Sequence, residues 1–506
     1  MNDETYLKVG EEMNEHTTTR FARTMDFSTT RIAFASFIGT AIEFYDFYIY
    51  GLAVAMVIGP IFFPNSDPAV QALNAFLTFG IAFLARPFGA LLFGHFGDRI
   101  GRKTTLVASL LVMGISTTLI GVLPSYEAVG WVAPALLCLL RFGQGIGLGG
   151  EWGGAALLAA EYAPKGKRGW FGMFPQLGPP VGFLFAVGSF MLLANTLDDA
   201  AFRDWGWRIP FLASAVLVVI GLYVRLKLEE TPVFLKAMQE QELLPPCRGK
   251  AGMGVESVSG TDSTPTLTLP DGTTSHSTRP SNNDGQVAGY LHGGGNAGSI
   301  RTDVKKIPLA QLFAHHTKPL VLGALLMVVC YALFYLTTVF SLSYGVSKLG
   351  IARPDFLGML CIAVIFMAAA TPLAATAGDR FGRRPVLIVA GSAALLSGFL
   401  MEPMLNSGSM VQITAFLSLE LFLMGATFAP MGALLPELFP TAVRYTGAGA
   451  AYNLGGILGA SLAPYIAQQL VQHGGLSWVG GYISVAAAIS VVAALLVHET
   501  RDTELA

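Results

Sequence analysis

The chain has 506 residues, of which 53% are hydrophobic and 13% charged, and its formal net charge is −2. Soluble globular domains carry about 25% charged residues, and a deficit of that size points to lipid, which excludes charge. The near-neutral balance leaves no basic footprint for nucleic acid. The four cysteines, Cys138, Cys247, Cys330 and Cys361, have neither metal-ligand nor disulfide-framework spacing.

In chain order, residues 1–29 form a polar tail carrying Asp3, Glu4, Glu11, Glu12 and Glu15. A signal peptide needs a basic start and an early apolar core; neither is present, so the tail is expected to stay in the cytoplasm. A membrane-spanning helix needs roughly 20 mostly apolar residues. Six such stretches centre near Tyr45, Ala82, Gly114, Gly145, Gly182 and Val216, within a first bundle over 30–228. Six more centre near Ala332, Val364, Ala394, Gly425, Gly456 and Ala487, within a second bundle over 317–498. Residues 499–506 form a C-terminal tail. Between the bundles, 229–316 is expected to be a cytoplasmic linker. Its stretch 237–306, rich in Gly, Ser, Thr and Asp, cannot bury enough apolar surface to offset chain entropy and reads as disordered; a regulatory docking segment is the alternative. Residues 229–240 look amphipathic and suit the membrane surface.

The basic residues set the topology. With both termini in the cytoplasm, Arg203, Arg208, Lys348 and Arg353 alone of the 31 Lys and Arg fall in outside loops, and Arg86 and Arg141 alone fall within helices. That asymmetry satisfies the positive-inside rule. The expected fold is an all-α membrane protein with twelve transmembrane helices in two pseudo-symmetric six-helix bundles, multi-pass in the plasma (inner) membrane and acting as a monomer.

The two halves echo each other. Gly97-Asp98-Arg99-Ile100-Gly101-Arg102-Lys103 follows helix two, and Gly378-Asp379-Arg380-Phe381-Gly382-Arg383-Arg384 follows helix eight. Glu161, Pro164 and Arg168 after helix four recur as Glu437, Pro440 and Arg444 after helix ten, at nearly the same offset. Parallel repeats of this kind place a solute site between the halves near mid-membrane. The loops resemble the signature of the major facilitator superfamily. Glu43-Phe44-Tyr45-Asp46, Arg86-Pro87, Arg141 with Gln144-Gly145, Gly150-Glu151-Trp152, Trp205 to Phe211, Pro436-Glu437 and Arg444-Tyr445 narrow the likeness. They are similar to the metabolite:proton symporters, the group of α-ketoglutarate, citrate, shikimate and proline/betaine permeases. The resemblance covers roughly 30–235 and 308–500, and the long linker departs from it. It implies the major facilitator fold and proton-coupled symport by alternating access, with a small-molecule solute and a proton as partners and no cofactor.

The charged loops are expected to form a cytoplasmic gate: Asp98, Arg99, Arg102, Glu161 and Arg168 in the first half, Asp379, Arg380, Arg383, Glu437 and Arg444 in the second. Asp98 at a helix end can accept hydrogen bonds from a neighbouring helix N-terminus, and Arg102 can pair with Glu161. Exposed ion pairs contribute about 0–1 kcal/mol each, which suits contacts that open repeatedly. The bland reading, a solvated charge run, is weakened by the recurring glycines. Gly101-Arg102-Lys103-Thr104 lacks the spacing of a phosphate loop.

Ionisable groups inside spans suggest function by default. Glu43 and Asp46 lie about 13 and 18 Å into helix one and share a face. Arg141, about 15 Å into helix four, shares a face with Gln144 and Glu151. A static Arg141–carboxylate pair that only pins helices is the structural alternative. On the functional reading, two carboxylates three residues apart repel in low dielectric, which makes one a proton site. Asp46 is slightly favoured over Glu43 as carrier, with Glu151 a second proton stop or gate. Arg141 holds the deprotonated acid or binds a solute carboxylate through its planar fork. Gln144, Tyr45, Tyr331, Tyr335, Tyr452 and Asn453 are candidate solute contacts, with Tyr48 and Phe334 beside them. Such rings also suit a quaternary ammonium, which keeps a betaine or proline substrate open. Gly172, Gly178, Pro179, Pro180 and Gly182 partly resemble the antiporter motif of drug exporters, a weaker reading, and a transporter-like sensor is a further rival. No HExxH pair or Gly-x-Ser-x-Gly elbow points to an enzyme, and no residue set points to a metal.

Overall fold

The computed structural model describes residues 36–100, 102–150, 163, 166–226, 308–440 and 443–502. The N-terminal tail, Glu151, Glu161, the amphipathic 229–240 stretch and the 237–306 segment with its expected disorder all lie outside the described residues, as do the side chains of Asp98, Arg99 and Arg102.

Among the described residues, twelve helices are long and apolar enough to cross a membrane: α1 (Ser36–Phe62), α2 (Pro68–Phe93), α3 (Thr104–Gly121), α4 (Val132–Gly149), α5 (Arg168–Thr196), α6 (Gly206–Tyr223), α7 (Thr317–Ser347), α8 (Arg353–Phe381), α9 (Arg383–Leu405), α10 (Met410–Glu437), α11 (Arg444–Gly474) and α12 (Leu476–Leu496). Every expected centre falls inside its helix. Large exposed side chains such as Phe88, Leu139, Phe185, Val216, Val389 and Phe399 are apolar, as hydrocarbon demands of any surface it touches.

Local chemistry marks the turns. Gly382, at φ +102°, ends α8 and begins α9, and Gly475, at φ +74°, separates α11 from α12; both need the left-handed region that glycine enters freely. The side chain of Asp198 accepts the Ala201 N–H and so caps a short helix, Asp199–Asp204, between α5 and α6. One π-helical turn interrupts α1 at Val54–Ile58 and another interrupts α7 at Leu336–Phe340. These are the first helices of the two six-helix bundles; a further π-helical turn, Ile457–Ser461, interrupts α11, whose counterpart α5 is regular.

Lipid tails are as apolar as leucine, so helices associate through close packing rather than hydrophobic drive. A Cβ at Gly145 would lie 2.1 Å from the Ala82 carbonyl oxygen, and one at Gly149 would lie 2.0 Å from that of Arg86. Only glycine lets α4 lie against α2 this closely, and that contact sets the spacing of the two buried arginines they carry. Between the halves, Gln176 of α5 donates to the Phe428 carbonyl of α10 at 3.0 Å, and Ser461 of α11 donates to the Gly80 carbonyl of α2 at 3.2 Å.

Candidate functional site

In the first half the buried charge is carried by α1, α2 and α4. Glu43 and Asp46 of α1 are both buried, as their mid-span position predicts. Neither carboxyl oxygen of Asp46 has a hydrogen-bond partner among the described residues, and Ser214 of α6 is the hydroxyl set beside it. Tyr45, one position earlier, donates to the Pro210 carbonyl of α6 at 3.2 Å. It therefore faces its own bundle rather than the hollow between the halves.

Arg141 of α4 is fully buried. Its guanidinium donates to Gln144 Oε1 at 2.5 Å and to the Phe79 carbonyl at 3.1 Å, and it lies 3.8 Å over the Tyr50 ring. Gln144 in turn donates to Thr117 of α3 at 2.7 Å and reaches the Asp46 carbonyl at 3.5 Å. The expected shared face of Arg141 and Gln144 is real. In this conformer the arginine rests on an amide, a carbonyl and aromatic rings, with no ion pair to a described carboxylate.

A second cation lies closer to the interface. Arg86 of α2 is fully buried, and none of its three guanidinium nitrogens has a hydrogen-bond partner among the described residues. It is held by rings instead, 4.2 Å over Phe83 and 4.6 Å over Phe47. Phe83 packs edge-on against Tyr331 and Tyr335 of α7. The phenols of Tyr335 and Tyr452 lie within reach of the Arg86 charge. The narrow hollow between the halves is lined by Phe44 and Tyr48 from α1, Tyr331 and Tyr335 from α7, and Tyr452 from α11, among others. Tyr331 stacks on Tyr335 at 6.4 Å and meets Tyr452 at 5.5 Å, while Tyr48 stacks on Phe334 at 4.6 Å across the halves. Tyr331, Tyr335 and Tyr452 thus converge as expected. Asn453 turns to the N-terminal half and donates to the Gly149 carbonyl at 3.2 Å. The sequence places Arg86 in a motif and within a helix but gives it no role; its signal is that of an ionisable residue inside a span.

The ends of the bundle are held by different chemistry. At the end carrying the α8–α9 turn, Asp379 accepts the backbone N–H groups of Gly169 and Trp170 at 2.8 and 2.9 Å. These are unpaired donors of the first turn of α5, where the helix dipole also favours an anion. Arg383 bridges Asp379 at 3.1 Å and Glu437 at 3.4 Å, and Arg168 approaches Glu437 at 3.7 Å from the other half. In the second half, Asp379 caps a helix as expected of its repeat counterpart Asp98, and Arg383 pairs with Glu437 as expected of Arg102 with Glu161; those three counterparts lie outside the described side chains. Arg444 is buried and donates to the Phe439 carbonyl at 3.2 Å. Arg380 is exposed and lies over the Phe381 ring, outside this cluster. One contributor was not anticipated: Glu499 caps the start of α9 through the N–H groups of Arg383 and Arg384, and Thr500 donates to Glu437 at 2.5 Å.

At the opposite end, Arg353 of α8 pairs with Asp199 of the first half at 2.9 Å. A contact between the halves thus stands toward each end of the hollow. Among the described residues no cluster of His, Cys, Asp and Glu is placed to hold a metal ion.

Comparison with known proteins fits this geometry. The family model for the sugar (and other) transporters matches residues 32–244 and 292–505. The chain is 47% identical to the inner membrane metabolite transport protein YhjE of Escherichia coli, over 94% of this chain and 96% of that protein. It is 34% identical to the shikimate transporter of Escherichia coli, over 93% and 95% of the two chains, and 30% identical to that organism's proline/betaine transporter, over 93% and 84%. Among solved structures, the partially occluded inward-open form of the xylose transporter XylE from Escherichia coli superposes with a TM-score of 0.65 at 17% identity, over 94% of this chain and 99% of that one; this likeness speaks for the fold.

Proposed function

Because this chain belongs to the sugar (and other) transporter family, within the major facilitator superfamily, we propose that it performs proton-coupled uptake of a small organic carboxylate by alternating access. The observation that carries the reading is a guanidinium and a carboxyl, Arg86 and Asp46, fully buried in one bundle and both without hydrogen-bond partners among the described residues. Leaving a buried charge unpaired costs several kcal/mol, so groups of this kind are suited to ligands that come and go. A solute carboxylate completes Arg86 through its two-point fork, and a proton completes Asp46, with Glu43 as its neighbour and Glu151 a second stop. Gln144, which also holds Arg141, ties α4 to the backbone of α1 at the Asp46 carbonyl, so a shift of α1 at the acid is felt by α4. Proton and solute then favour the same conformer, which is the thermodynamic content of symport.

The ion-pair cluster around Asp379 and Glu437 serves as the gate on the cytoplasmic side, which the basic residues assign to that end together with both termini. A second reading, uptake of a betaine or proline-like zwitterion, is favoured by the stacked Tyr331 and Tyr335 with Tyr452. Arg86 would take the carboxylate and the rings would take the ammonium. The relatives are named for shikimate and for proline and betaine, and both chemistries end in a carboxylate.

The test is flux in proteoliposomes, with shikimate, proline and glycine betaine as first probes. Adding the transported solute outside should alkalinise a weakly buffered medium. Uptake that survives collapse of the proton gradient defeats symport, proton movement in the opposite sense indicates an antiporter, and binding without flux indicates a sensor.

A further inference from the structure

A buried acid also lies at mid-span in the other bundle. Glu420 is the only charged residue of α10 before Glu437 at its end. It stands ten residues beyond Met410, about 15 Å along the helix, near the middle of a hydrocarbon layer about 30 Å thick. It is fully buried, and neither carboxyl oxygen has a hydrogen-bond partner among the described residues. Ser397 of α9 is the hydroxyl set beside it, and it already donates to the Ala394 carbonyl at 2.9 Å. An ionised carboxylate buried without a partner is costly, a cost the protonated acid largely escapes.

Among the described residues, the helices packed against it bring no cation to mid-span. Helices α7, α8 and α9 pack against α10. Their charged residues are confined to helix ends: Lys318 on α7; Arg353, Asp355, Asp379 and Arg380 on α8; Arg383, Arg384 and Glu402 on α9. Their remaining titratable groups, Cys330, Tyr331, Tyr335 and Tyr344 on α7 and Cys361 on α8, are thiols and phenols, neutral at pH 7 in their ordinary state.

The repeat gives an independent argument. The offset that carries Glu161 onto Glu437 carries Gln144 onto Glu420. In the first half the amide sits against a hydroxyl of the neighbouring helix, Thr117 of α3. In the second half an acid sits against Ser397 of α9, at the corresponding seam. A protonated glutamate has the shape of glutamine, with one donor and one acceptor end, so both halves then present the same neutral group at the same place.

We propose that Glu420 is an intramembrane proton-binding site of the C-terminal half, distinct from Asp46 and Glu43, and that it holds its proton in this conformer. The proposal rests on the burial of Glu420 and not on transport, so a chain that moves solute without protons leaves it standing.

The experiment is infrared difference spectroscopy on the full chain in lipid, comparing wild type with Glu420→Gln at neutral and alkaline pH. The expected difference at neutral pH is one protonated-carboxyl carbonyl band, shifted in deuterium oxide, lost on alkalinisation and retained in Asp46→Asn. A carboxylate band in its place at neutral pH overturns the proposal. Thermal unfolding supplies a second arm. A carboxyl that binds its proton more tightly in the folded state than in the unfolded state loses stability as pH rises, so the melting temperature of Glu420→Gln should exceed that of wild type by a margin that grows with pH. A margin that is absent or shrinks with pH overturns it. Both Glu420→Gln and Glu420→Met should fold, since neither removes a charge from a neutral site; failure of both to insert also overturns it.

Discussion

Arg86 and Arg141 share one ring: the guanidinium groups lie 4.6 and 5.1 Å from the centre of Phe47. Two like charges near one aromatic side chain differ in what else they hold. Arg141 is bound to Gln144 and to the Phe79 carbonyl, whereas the nitrogens of Arg86 have no hydrogen-bond partner among the described residues. Replacement should separate the roles. Arg86→Gln removes the proposed carboxylate anchor, at a loss of roughly 10- to 150-fold in solute affinity, the equivalent of about 1.5–3 kcal/mol for a hydrogen bond to a charged group. Arg141→Lys keeps the charge but loses the planar fork, and should lower stability by about 1–3 kcal/mol. Calorimetric binding beside thermal unfolding for each variant decides. An affinity loss confined to Arg141→Lys would return the anchor to that residue.

Asp46→Asn mimics the protonated acid. It should bind solute and exchange it in counterflow, yet fail to accumulate it against a gradient, because no proton is carried. Full gradient-driven accumulation would remove Asp46 as carrier and leave Glu43.

The motif end should open when its cross-half contacts are weakened. Asp379→Ala removes both caps on the first turn of α5, and Gly432→Leu forces bulk into a place where even a Cβ would lie 2.6 Å from the Gly172 carbonyl. Both variants should shift the population toward forms open at this end, read as longer distances between spin labels on the α8–α9 turn and on the start of α5. Unchanged distances in both would show that these contacts do not hold the end shut. Removing one helix-end anion contact is worth about 0.3–2 kcal/mol, which is a several-fold shift in population.

Deletion of residues 245–300 should leave transport largely intact, since their composition cannot build a packed core. Normal insertion with lost uptake would give the segment a part in the cycle.

The helices were legible because hydropathy and basic-residue bias act residue by residue along the chain. The repeat of Glu161 and Arg168 as Glu437 and Arg444, and of Asp98 as Asp379, located the cluster that forms. Spacing along one helix also placed Arg141 beside Gln144. It does not report which neighbour a face meets, and so Tyr45, which turns to α6, read as a solute contact. Arg86 and Glu420 carried the same mark as Arg141, an ionisable residue deep in an apolar stretch. Only packing between helices separates an arginine seated on an amide from one resting on rings alone. Glu499 and Thr500 read as part of an ordinary polar tail because their partners are far away in sequence.

Contacts between the halves toward both ends have a bearing on the membrane itself. Bacterial inner membranes, where the YhjE relative is named to reside, store energy as a proton gradient across a film about 30 Å thick. Any continuous file of water through a protein short-circuits that store. With Asp379 held to α5 at one end and Arg353 to Asp199 at the other, contacts between the halves stand on both sides of the hollow. Such contacts oppose a continuous file of water while the protein is at rest.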